Sequence, residues 1–323
     1  MRAIRVARRP RPCYGRGMSD QKTLNPRAWA DLLLLSLLWG ASFLSIRVAL
    51  DELGVMWVVA HRVGWAALIL WGYVLLRRLP VPRAPAIWGA FAVMGLLNNV
   101  IPFGLMAWGQ LHIETGLTSI LNAATAVFAV LVAATLFRDE RLTTRRLAGV
   151  SLGFAGVVII IGPAALLSLD LRSLGQIAVL GGAMSYALAA SWARVALAGL
   201  RPEMAAAGML AASAAIMVPL AWAVEGAPDP DLSSRSWAAI GYYAVFSTAL
   251  AYLLYYRVLA AAGAGNAALV TLLIPPVAIT LGAVVLGEAL PPRAFAGFAV
   301  LAAGLIVLNG RRPLPLSMRR RGG

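Results

Sequence analysis

The chain has 323 residues, of which 61% are hydrophobic and 13% charged, with a formal net charge of +15. A soluble domain carries roughly a quarter charged residues, so this composition excludes an ordinary water-soluble enzyme. A membrane-spanning helix needs about 20 mostly apolar residues, and the chain has material for about ten of them. The single cysteine, Cys13, excludes a disulfide framework and a cysteine-based zinc site.

Residues 1–27 form a basic segment ahead of the first apolar run. Residues 1–17 hold six arginines but lack the apolar stretch that a signal peptide requires. We expect residues 1–17 to be either a disordered tail or the result of a start codon placed too far upstream, because Met18 begins a more ordinary opening. Neither interpretation gives the segment a function.

Apolar runs interrupted by charged residues, Gly or Pro predict ten spans. In chain order they cover residues 29–50, 55–76, 87–110, 115–137, 147–166, 175–197, 203–224, 236–256, 266–287 and 292–309. Backbone groups must be hydrogen-bonded without water inside the bilayer, and continuous apolar runs satisfy them as helices rather than as barrel strands. The predicted fold class is an all-α integral membrane protein with ten transmembrane helices.

The first two spans introduce an aromatic candidate, Trp39, and the pair His61 and Arg62. Polar groups inside spans are costly and are candidates for function. Two interpretations of Arg62 stay open. Its side chain either reaches the lipid headgroups at the surface, or it takes part in function, as a gate or as the group that holds a substrate carboxylate. The candidate acidic partners for such a gate are Asp51, Glu52 and Glu114.

Spans 3 and 4 carry amide side chains at mid-membrane depth. Asn98 and Asn99 precede Pro102, which we expect to loosen the helix and free backbone carbonyls. One face of span 4 carries a polar residue every three positions, at Ser119, Asn122 and Thr125. Such residues often only bond a neighbouring helix, so we expect substrate contact first for the three asparagines.

The later spans offer a comparable set. Thr248, Tyr252 and Tyr255 form a stripe on span 8, and Pro275–Pro276 predicts a break in span 9. The residues predicted to line a substrate cavity are Trp39, Asn98, Asn99, Asn122, Ser185, Tyr186, Thr248, Tyr252 and Pro275. The residues predicted to act in gating or coupling are His61, Arg62 and Glu114.

Two stretches of the chain repeat each other. The run "DERLTTRRLAGVSLGFAGVVII" at 139–160 returns 148 positions later as "GEALPPRAFAGFAVLAAGLIVL", and "RVAL" occurs at 47–50 and 194–197. The chain therefore reads as two five-span units, residues 28–166 and 173–309. Because five is odd, the second unit must enter the membrane from the opposite side. Inverted repeats predict a site near the midplane and alternating access to it.

Some residues of the repeat have structural explanations. Glu140 and Glu288 are best interpreted as turn residues beside helix N-termini, where a carboxylate is favourable. The small residues Gly149, Gly153 and Gly156 are best interpreted as positions of close helix packing.

The basic residues predict the orientation. With a cytoplasmic N-terminus, all of the 28 basic residues except five fall in the two tails (1–27 and 310–323) and the inner connectors. Those five are Arg47, Arg62, Arg172, Arg235 and Arg293. We therefore expect both termini in the cytoplasm, a location in the inner membrane, and basic charge that serves topology and lipid headgroups rather than nucleic acid.

Four stretches of the chain follow a known family pattern: "LLWGASFLSIRVAL", the arginine of "AHRVGWAALIL", "FRDERLTTRRLAGVSLGFAGVVIIIG" and "LLIPPVAITLGAVVLGEALPPRAFAGFAVLAAGLIVLN". In these stretches the chain resembles the EamA-type carriers of the drug/metabolite transporter superfamily. The second half matches the pattern of this family at Pro275, 286–288 and Gly297, whereas the first half has Val127 near the expected proline and Arg138–Asp139 before Glu140. The resemblance implies ten spans and transport of small organic solutes, often export.

A secondary transporter for a metabolite, amino acid or drug is the predicted function. No Asp or Glu lies mid-span, which favours a neutral or zwitterionic solute, moved by exchange or coupled through His61 or Glu114. A channel or passive scaffold remains an alternative, and so does an integral-membrane enzyme, although two histidines and no metal-ligand spacing disfavour it. No cofactor or metal is expected. The expected partners are the solute and the bilayer, with proton or counter-solute coupling and a homodimer left open.

Overall fold

A computed structural model describes residues 26–137, 143–162, 170–262 and 270–309. The regular structure in these ranges is helical, and we number its helices α1 to α10 in the order of the predicted spans. The bounds are α1 Pro26–Ala49, α2 Val55–Leu76, α3 Pro85–Gln110, α4 Thr115–Leu136, α5 Thr144–Ile161, α6 Leu171–Ala196, α7 Pro202–Glu225, α8 Ser234–Leu259, α9 Val270–Leu286 and α10 Pro292–Asn309. Both predicted tails, apart from 26–27, and the turn at Glu140 lie outside the described residues.

The helices α1 to α8 are long and apolar enough to cross a membrane, and α9 and α10 are apolar but shorter. Many large apolar side chains point away from the bundle, among them Leu68, Leu76 and Val284, which are 65%, 85% and 78% exposed. In water such a surface would be strongly unfavourable, whereas in hydrocarbon it has no such cost. The chain is therefore a multi-pass membrane protein.

Three of the helices are interrupted. α3 contains a π-helical segment, Leu96–Val100, and α8 contains another, Tyr242–Leu250. The two segments overlap when α3 and α8 are aligned on Trp88 and Trp237. In α4 a turn at 123–124 separates Thr115–Asn122 from Thr125–Leu136. A π-helical segment holds an extra residue per turn, which redirects the side chains that follow.

Two predictions about helix breaks were wrong. α9 continues through Pro275 and Pro276, where a break was predicted. Proline removes one backbone donor, but its fixed φ suits a helix, and a membrane helix packed on its neighbours tolerates it. α5 ends at Ile161 rather than at 166, because Gly162 adopts a φ of +79°, a left-handed conformation that ends helices.

α5 and α10 make the most extensive helix–helix contact of the bundle, and glycines form it. A Cβ on Gly149 would lie 2.9 Å from the carbonyl oxygen of Gly304, and one on Gly156 would lie 2.7 Å from that of Gly297. Only glycine permits backbones to approach this closely. The later glycine of α5 (Gly156) contacts the earlier glycine of α10 (Gly297), and the earlier one (Gly149) contacts the later one (Gly304). The two helices therefore cross antiparallel. The predicted packing role of Gly149 and Gly156 agrees with this geometry.

The other main helix contacts also join the first half of the chain to the second half. α2 packs on α7, α3 on α6, and α1 on both α8 and α9. α4 packs on α6 and α9, α2 on α8, and α3 on α7. The core of the bundle is built largely from these contacts between helices 1–5 and helices 6–10.

One end of the bundle, here called the carboxylate end, brings together the connectors 50–54, 111–114, 226–233 and 287–291 and the start of α6. Contacts of four acidic side chains define it: Glu52 with Ser233, Glu114 with Arg172, Glu225 with the start of α2, and Glu288 with the start of α4. The connectors near Pro82 and Leu200, which line a common recess, lie at the opposite end, as does the Arg257–Asp31 ion pair.

Glutamates at the carboxylate end bind helix N-termini of the other half. Glu225 accepts hydrogen bonds from the backbone N–H of Met56 (2.9 Å) and of Trp57 (3.0 Å). Glu288 accepts from the backbone N–H (2.9 Å) and the hydroxyl (2.6 Å) of Thr115. The first N–H groups of a helix lack internal partners and carry partial positive charge, so a carboxylate there is stabilising. The prediction for Glu288 has the right chemistry, but the helix that it caps is distant in sequence.

Candidate substrate site

Arg62 lies inside the bundle and not at a lipid surface. Its side chain is only 8% exposed, and its Nε donates to the hydroxyl of Thr248 on α8 at 2.9 Å. The guanidinium carbon stands 3.8 Å from the centre of the Phe103 ring on α3. The Thr248 hydroxyl in turn donates to the carbonyl oxygen of Tyr243 at 2.6 Å. These contacts exclude the interpretation in which Arg62 reaches the headgroups.

The amides of α3 form a second group next to Arg62. Asn98 Nδ2 donates to the Tyr252 hydroxyl at 2.8 Å, and that hydroxyl donates to Asn99 Oδ1 at 3.1 Å. Asn99 Nδ2 donates to the hydroxyl of Ser213 on α7 at 2.9 Å. Asn98 is partly exposed, whereas Asn99 is fully buried and joins α3 to α7 and α8.

Tyr252 connects the two groups, because it bonds Asn98 and lies within electrostatic range of Arg62. Tyr186 on α6 also lies within this range and packs edge-on against Phe103, with ring centres 6.4 Å apart. We call this assembly the central polar cluster; it consists of Arg62, Asn98, Asn99, Phe103, Tyr186, Ser213, Thr248 and Tyr252. Helices α2, α3, α6, α7 and α8 contribute to it.

The two π-helical segments supply key members of the cluster. Asn98 and Asn99 lie in the first segment, and Thr248 lies in the second. A π-helical segment holds an extra residue per turn and so interrupts the stripe of an α-helix; here Asn98 is directed toward α8, Asn99 toward α7 and Thr248 toward α2. The predicted stripe on α8 is accordingly divided: Thr248 bonds Arg62 and Tyr252 bonds α3, whereas Tyr255 packs on Trp39.

Trp39 and Ser185 lie beside the cluster. The Trp39 ring lies 5.6 Å from that of Tyr255, and its indole N–H donates to the carbonyl oxygen of Ser247 in the second π-helical segment. Ser185 donates to the carbonyl oxygen of Leu97 in the first π-helical segment at 2.7 Å. Both side chains therefore donate a hydrogen bond to a backbone carbonyl of a π-helical segment.

Asn122 and Pro275 are the two predicted cavity residues that neither belong to the cluster nor bond the π-helical segments beside it. Asn122 accepts a weak hydrogen bond of 3.4 Å from Thr125 across the turn of α4. Pro275 is buried in α9, in the region that packs on α1. The amide of Asn122 is partly exposed, so its predicted contact with substrate stays a prediction.

The predicted gating residues do not pair with one another. Glu114 forms an ion pair with Arg172 at 2.8 Å, and the nearest acidic candidates to Arg62 in sequence, Asp51 and Glu52, bond Arg47 and Ser233. A gate between Arg62 and one of these carboxylates is therefore absent from this structure.

His61 faces an aromatic group instead of an acid. Its Nδ1 accepts a hydrogen bond from the indole N–H of Trp65 at 3.2 Å. Its ring lies 5.7 Å from that of Trp57 and 5.9 Å from that of Trp237. The buried Nε2 has no hydrogen-bond partner among the described residues.

Sequence reasoning missed Ser213, Phe103 and the depth of Arg62. Ser213 was detectable, since it interrupts the apolar stretch "GMLAASAAIM" of span 7. Phe103 carries no such signal, because its part as the surface beneath a guanidinium depends on how α2 and α3 pack.

Two recesses on the described surface lie away from the central polar cluster. One, of about 470 Å³, opens between α1, α8 and α9 beside Tyr242, Pro276 and Thr280. The other, of about 280 Å³, lies at the opposite end, beside Pro82 and Arg201. In the described ranges no three His, Cys, Asp or Glu side chains stand close enough to hold a metal ion. The chemistry available at the cluster is thus charge, hydrogen bonding and aromatic contact.

Comparison with known proteins places the chain in a family. The model of the EamA-like transporter family matches residues 28–162 and again residues 173–310. A probable terminal-alkyne amino-acid exporter from Streptantibioticus cattleyicolor is 29% identical over 89% of this chain and 95% of its own length. Protein PagO from Salmonella typhimurium is 24% identical over 90% of this chain and 95% of its own length.

A solved crystal structure has the same fold. It aligns with 87% of this chain and 98% of its own residues, with a TM-score of 0.63 and 17% identity. The two family matches together cover most of the chain. The chain therefore belongs to the EamA-like transporter family and is a membrane transporter, not an enzyme.

Proposed function

We propose that this transporter is a secondary carrier that exports a small organic solute across the inner membrane by alternating access. It is built from two inverted repeats of five transmembrane helices, residues 28–166 and 173–309. The solute binds at the central polar cluster, near the middle of the bilayer. A counter-solute or a proton couples the movement.

The antiparallel crossing of α5 and α10 is the observation that carries this proposal. These helices are the equivalent elements of the two repeats, since Gly149 corresponds to Gly297 and Gly156 to Gly304 at an offset of 148. Gly149 approaches Gly304 and Gly156 approaches Gly297, so exchanging the repeats converts one contact into the other. Equivalent helices that run in opposite directions are what inverted repeats require.

The remaining helix contacts support the same exchange. If helices 1–5 exchange with helices 6–10, the contact of α2 with α8 becomes that of α7 with α3, and both occur. In the same way α3 with α6 becomes α8 with α1, and α1 with α9 becomes α6 with α4. A carrier of this design reverses its opening by exchanging the conformations of its halves, at little net free energy.

The central polar cluster is where such a carrier would hold its solute. The Arg62–Thr248 bond joins α2 to α8, and the Asn99–Ser213 bond joins α7 to α3, which are equivalent pairs. Uncompensated polar groups in the bilayer are costly, and they persist where they serve a transport path. Transporters place their sites at such interfaces between repeats.

The charges support cytoplasmic termini. The opposite end carries Arg77, Arg78, Arg83, Arg201 and Arg257 in or next to its connectors. Positive connectors remain in the cytoplasm, so the carboxylate end would face outward. Export is supported by the relative from Streptantibioticus cattleyicolor, whose name describes an amino-acid exporter.

Counterflow in proteoliposomes tests the proposal. Vesicles loaded with one unlabelled solute are diluted into its labelled form, using a panel of amino acids, monocarboxylates, nucleosides and cationic dyes. A carrier gives transient, saturable uptake that depends on the trans solute, and an imposed pH gradient reveals coupling to protons. Unsaturable leakage would indicate a channel and contradict the proposal.

Variants locate the site in the same assay. Asn98→Ala should reduce counterflow while the protein still inserts and purifies, since Asn98 is partly exposed and bonds Tyr252 of the cluster. Thr280→Val is the matched control, because the exposed Thr280 hydroxyl only bonds the carbonyl oxygen of Pro276 within α9. Equal transport by both variants would show that the cluster does not contact the solute.

A further inference from the structure

The charge of Arg62 has no acidic partner among the described residues. Its Nε is bonded to Thr248, but neither Nη group donates to a described side chain or carbonyl, and no described carboxylate lies within ion-pair distance. An arginine inside a membrane protein ordinarily pairs with an acid or with backbone carbonyls, because a lone charge there is costly. Among the described residues, the buried guanidinium of Arg62 is thus contacted by the Thr248 hydroxyl and the Phe103 ring but by no anionic group.

The guanidinium is held in a defined orientation. The Thr248 hydroxyl accepts the hydrogen bond from Arg62 Nε, and it is itself oriented by donating to the Tyr243 carbonyl oxygen. Phe103 lies under the guanidinium plane at 3.8 Å. With one edge and one face occupied, the two Nη groups form an oriented fork of donors, the geometry that matches the two oxygens of a carboxylate.

The groups around this fork lack hydrogen bonds that a small solute could supply. The Tyr243 hydroxyl is buried without a partner among the described residues, and it lies within electrostatic range of Arg62. The amide oxygen of Asn98 accepts no hydrogen bond from a described residue, whereas its nitrogen has three acceptors within reach, at Tyr252, Asn99 and Met209. The cluster thus offers hydrogen-bond donors at Arg62 and Tyr243, and an acceptor without a described partner at Asn98 Oδ1.

We infer that Arg62 binds the carboxylate of the transported solute through its two Nη groups. The inference rests on the proposed transport function and adds the substrate class, a small solute that carries a carboxylate. The carboxylate compensates the buried charge when the site closes. Two kinds of solute share this chemistry. A simple monocarboxylate uses Arg62 alone, whereas an amino acid also places its ammonium group on Asn98 Oδ1.

The first test compares matched solutes in counterflow. Every solute of the panel that exchanges is paired with its carboxamide as a competitor, for example L-leucine with L-leucinamide, and with its deamino analogue, here 4-methylpentanoate. We expect exchange only for solutes with a carboxylate, and competition by the amide at least about 30-fold weaker, the loss typical of an unpaired buried charge. Strong competition by 4-methylpentanoate identifies a monocarboxylate site, and weak competition identifies an amino-acid site.

The second test changes the arginine. Arg62→Gln should lower the apparent affinity for the carboxylate solute about 30-fold or more, and the ratio of carboxylate to amide affinity should fall with it. Arg62→Lys keeps the charge but not the fork, so an intermediate loss is expected. Arg47→Gln is the control, because the exposed Arg47 side chain pairs only with Asp51 on the surface.

Folding defects are separated from binding by a third variant. Thr248→Val removes the acceptor of Nε while the charge stays, so it should weaken carboxylate binding and leave the apparent affinity for the amide unchanged. A residue that only stabilises the fold would affect both solutes equally. This selectivity ratio is measurable even if Arg62→Gln cannot be purified.

The outcomes separate the two proposals. If a solute exchanges but its amide competes equally well, or Arg62→Lys and Thr248→Val keep the wild-type selectivity, the assignment of Arg62 is wrong and the carrier function stands. If no solute of the panel exchanges, the proposed carrier function fails, and the assignment fails with it.

Discussion

Arg62 shows what a single residue contributes beyond the pattern of the sequence. An arginine in the second turn of an apolar run was detectable as an unusual group, but its depth was not. Depth depends on which neighbour covers the side chain, and that neighbour, Thr248, comes from a helix 186 positions away. The presence of a candidate was therefore predictable from sequence, and its partners were not.

Asn98 and Asn122 make the same point for amides. Both were predicted at mid-membrane depth from their position within apolar runs. The structure joins Asn98 to the cluster through Tyr252 but bonds Asn122 to Thr125 within α4. The helix face on which a residue lies can be read from its spacing only while the helix is regular, and α3, α4 and α8 are all interrupted.

Glu52 gives a prediction on pH. Hydrogen bonds from the hydroxyl and the backbone N–H of Ser233 hold the pKa of Glu52 below its ordinary value. A carboxyl group whose pKa is lowered by folding stabilises the folded state at pH values above its unfolded pKa. This stabilisation is lost as the pH falls through the lowered pKa of the folded state. Glu52→Gln should therefore lower the apparent Tm in detergent at pH 7, and the gap to the wild type should close below about pH 4.

The control for Glu52 is Asp51→Asn, which removes an exposed ion pair with Arg47 within one helix turn. Such pairs contribute about 0–1 kcal/mol, so a small change in Tm is expected. A Tm difference for Glu52→Gln that persists unchanged at low pH would contradict the assigned contact.

At the scale of elements, the helices were predictable and their irregularities were not. Continuous apolar runs of about 20 residues leave the backbone few alternatives in a membrane, so each predicted span corresponds to a helix. The π-helical segments have no such signature, because one extra residue per turn changes no composition. The proline pair in α9 led to the opposite error: a break was predicted there, but a helix supported by its neighbours continues through it.

The start of α2 provides a prediction for an element. Glu225→Ala removes the acceptor for the N–H groups of Met56 and Trp57, which should lower the free energy of unfolding by about 1 kcal/mol, the usual effect of losing a cap. Gly54→Ala should have a similar effect, because a Cβ there would occupy the space of the Glu225 carboxylate. Unfolding in mixed micelles measures both.

The double variant tests whether the two changes act on one contact. If Gly54→Ala acts by displacing Glu225, the double variant should be about as stable as either single variant. Full additivity of the two losses would show that Gly54 acts independently of the carboxylate.

For the whole molecule, the contact of α5 with α10 should be sensitive to single atoms. A Cβ on Gly156 would lie 2.6 Å from the backbone nitrogen of Leu301, so Gly156→Ala must separate the two helices. We expect a loss of about 1–3 kcal/mol in the free energy of unfolding, as overpacking usually produces. Gly72→Ala is the control, because no atom lies within 4 Å of its new Cβ. Equal stability of the two variants would contradict the described crossing.

Cysteine labelling tests the inverted arrangement. In a background without Cys13, an impermeant maleimide applied to intact cells should label Ala227→Cys and Ala289→Cys at the carboxylate end. Ala84→Cys and Ala198→Cys at the opposite end should react only after lysis. Ala84 and Ala227 lie in connectors that are equivalent in the two proposed repeats, so labelling of both from one side would contradict inversion.

The repeat in the sequence gives a direct prediction for the whole molecule. If both five-span units cross the membrane completely, the odd number of spans gives the two units opposite directions, and the antiparallel crossing of α5 and α10 supports this proposal. How the two halves bind each other was not predictable, since three of the four contacts that define the carboxylate end join residues more than 160 positions apart.

In the proposed transport cycle, these contacts predict where the slow step lies. Glu225 and Glu288 each bind the N-terminus of a helix in the first half of the chain, so opening the carboxylate end would break several hydrogen bonds together. The kinetic barrier to release would then lie far from the solute that we propose at Arg62. Substitution of these glutamates would change the turnover rate without changing which solute binds, so rate and selectivity would be independently adjustable.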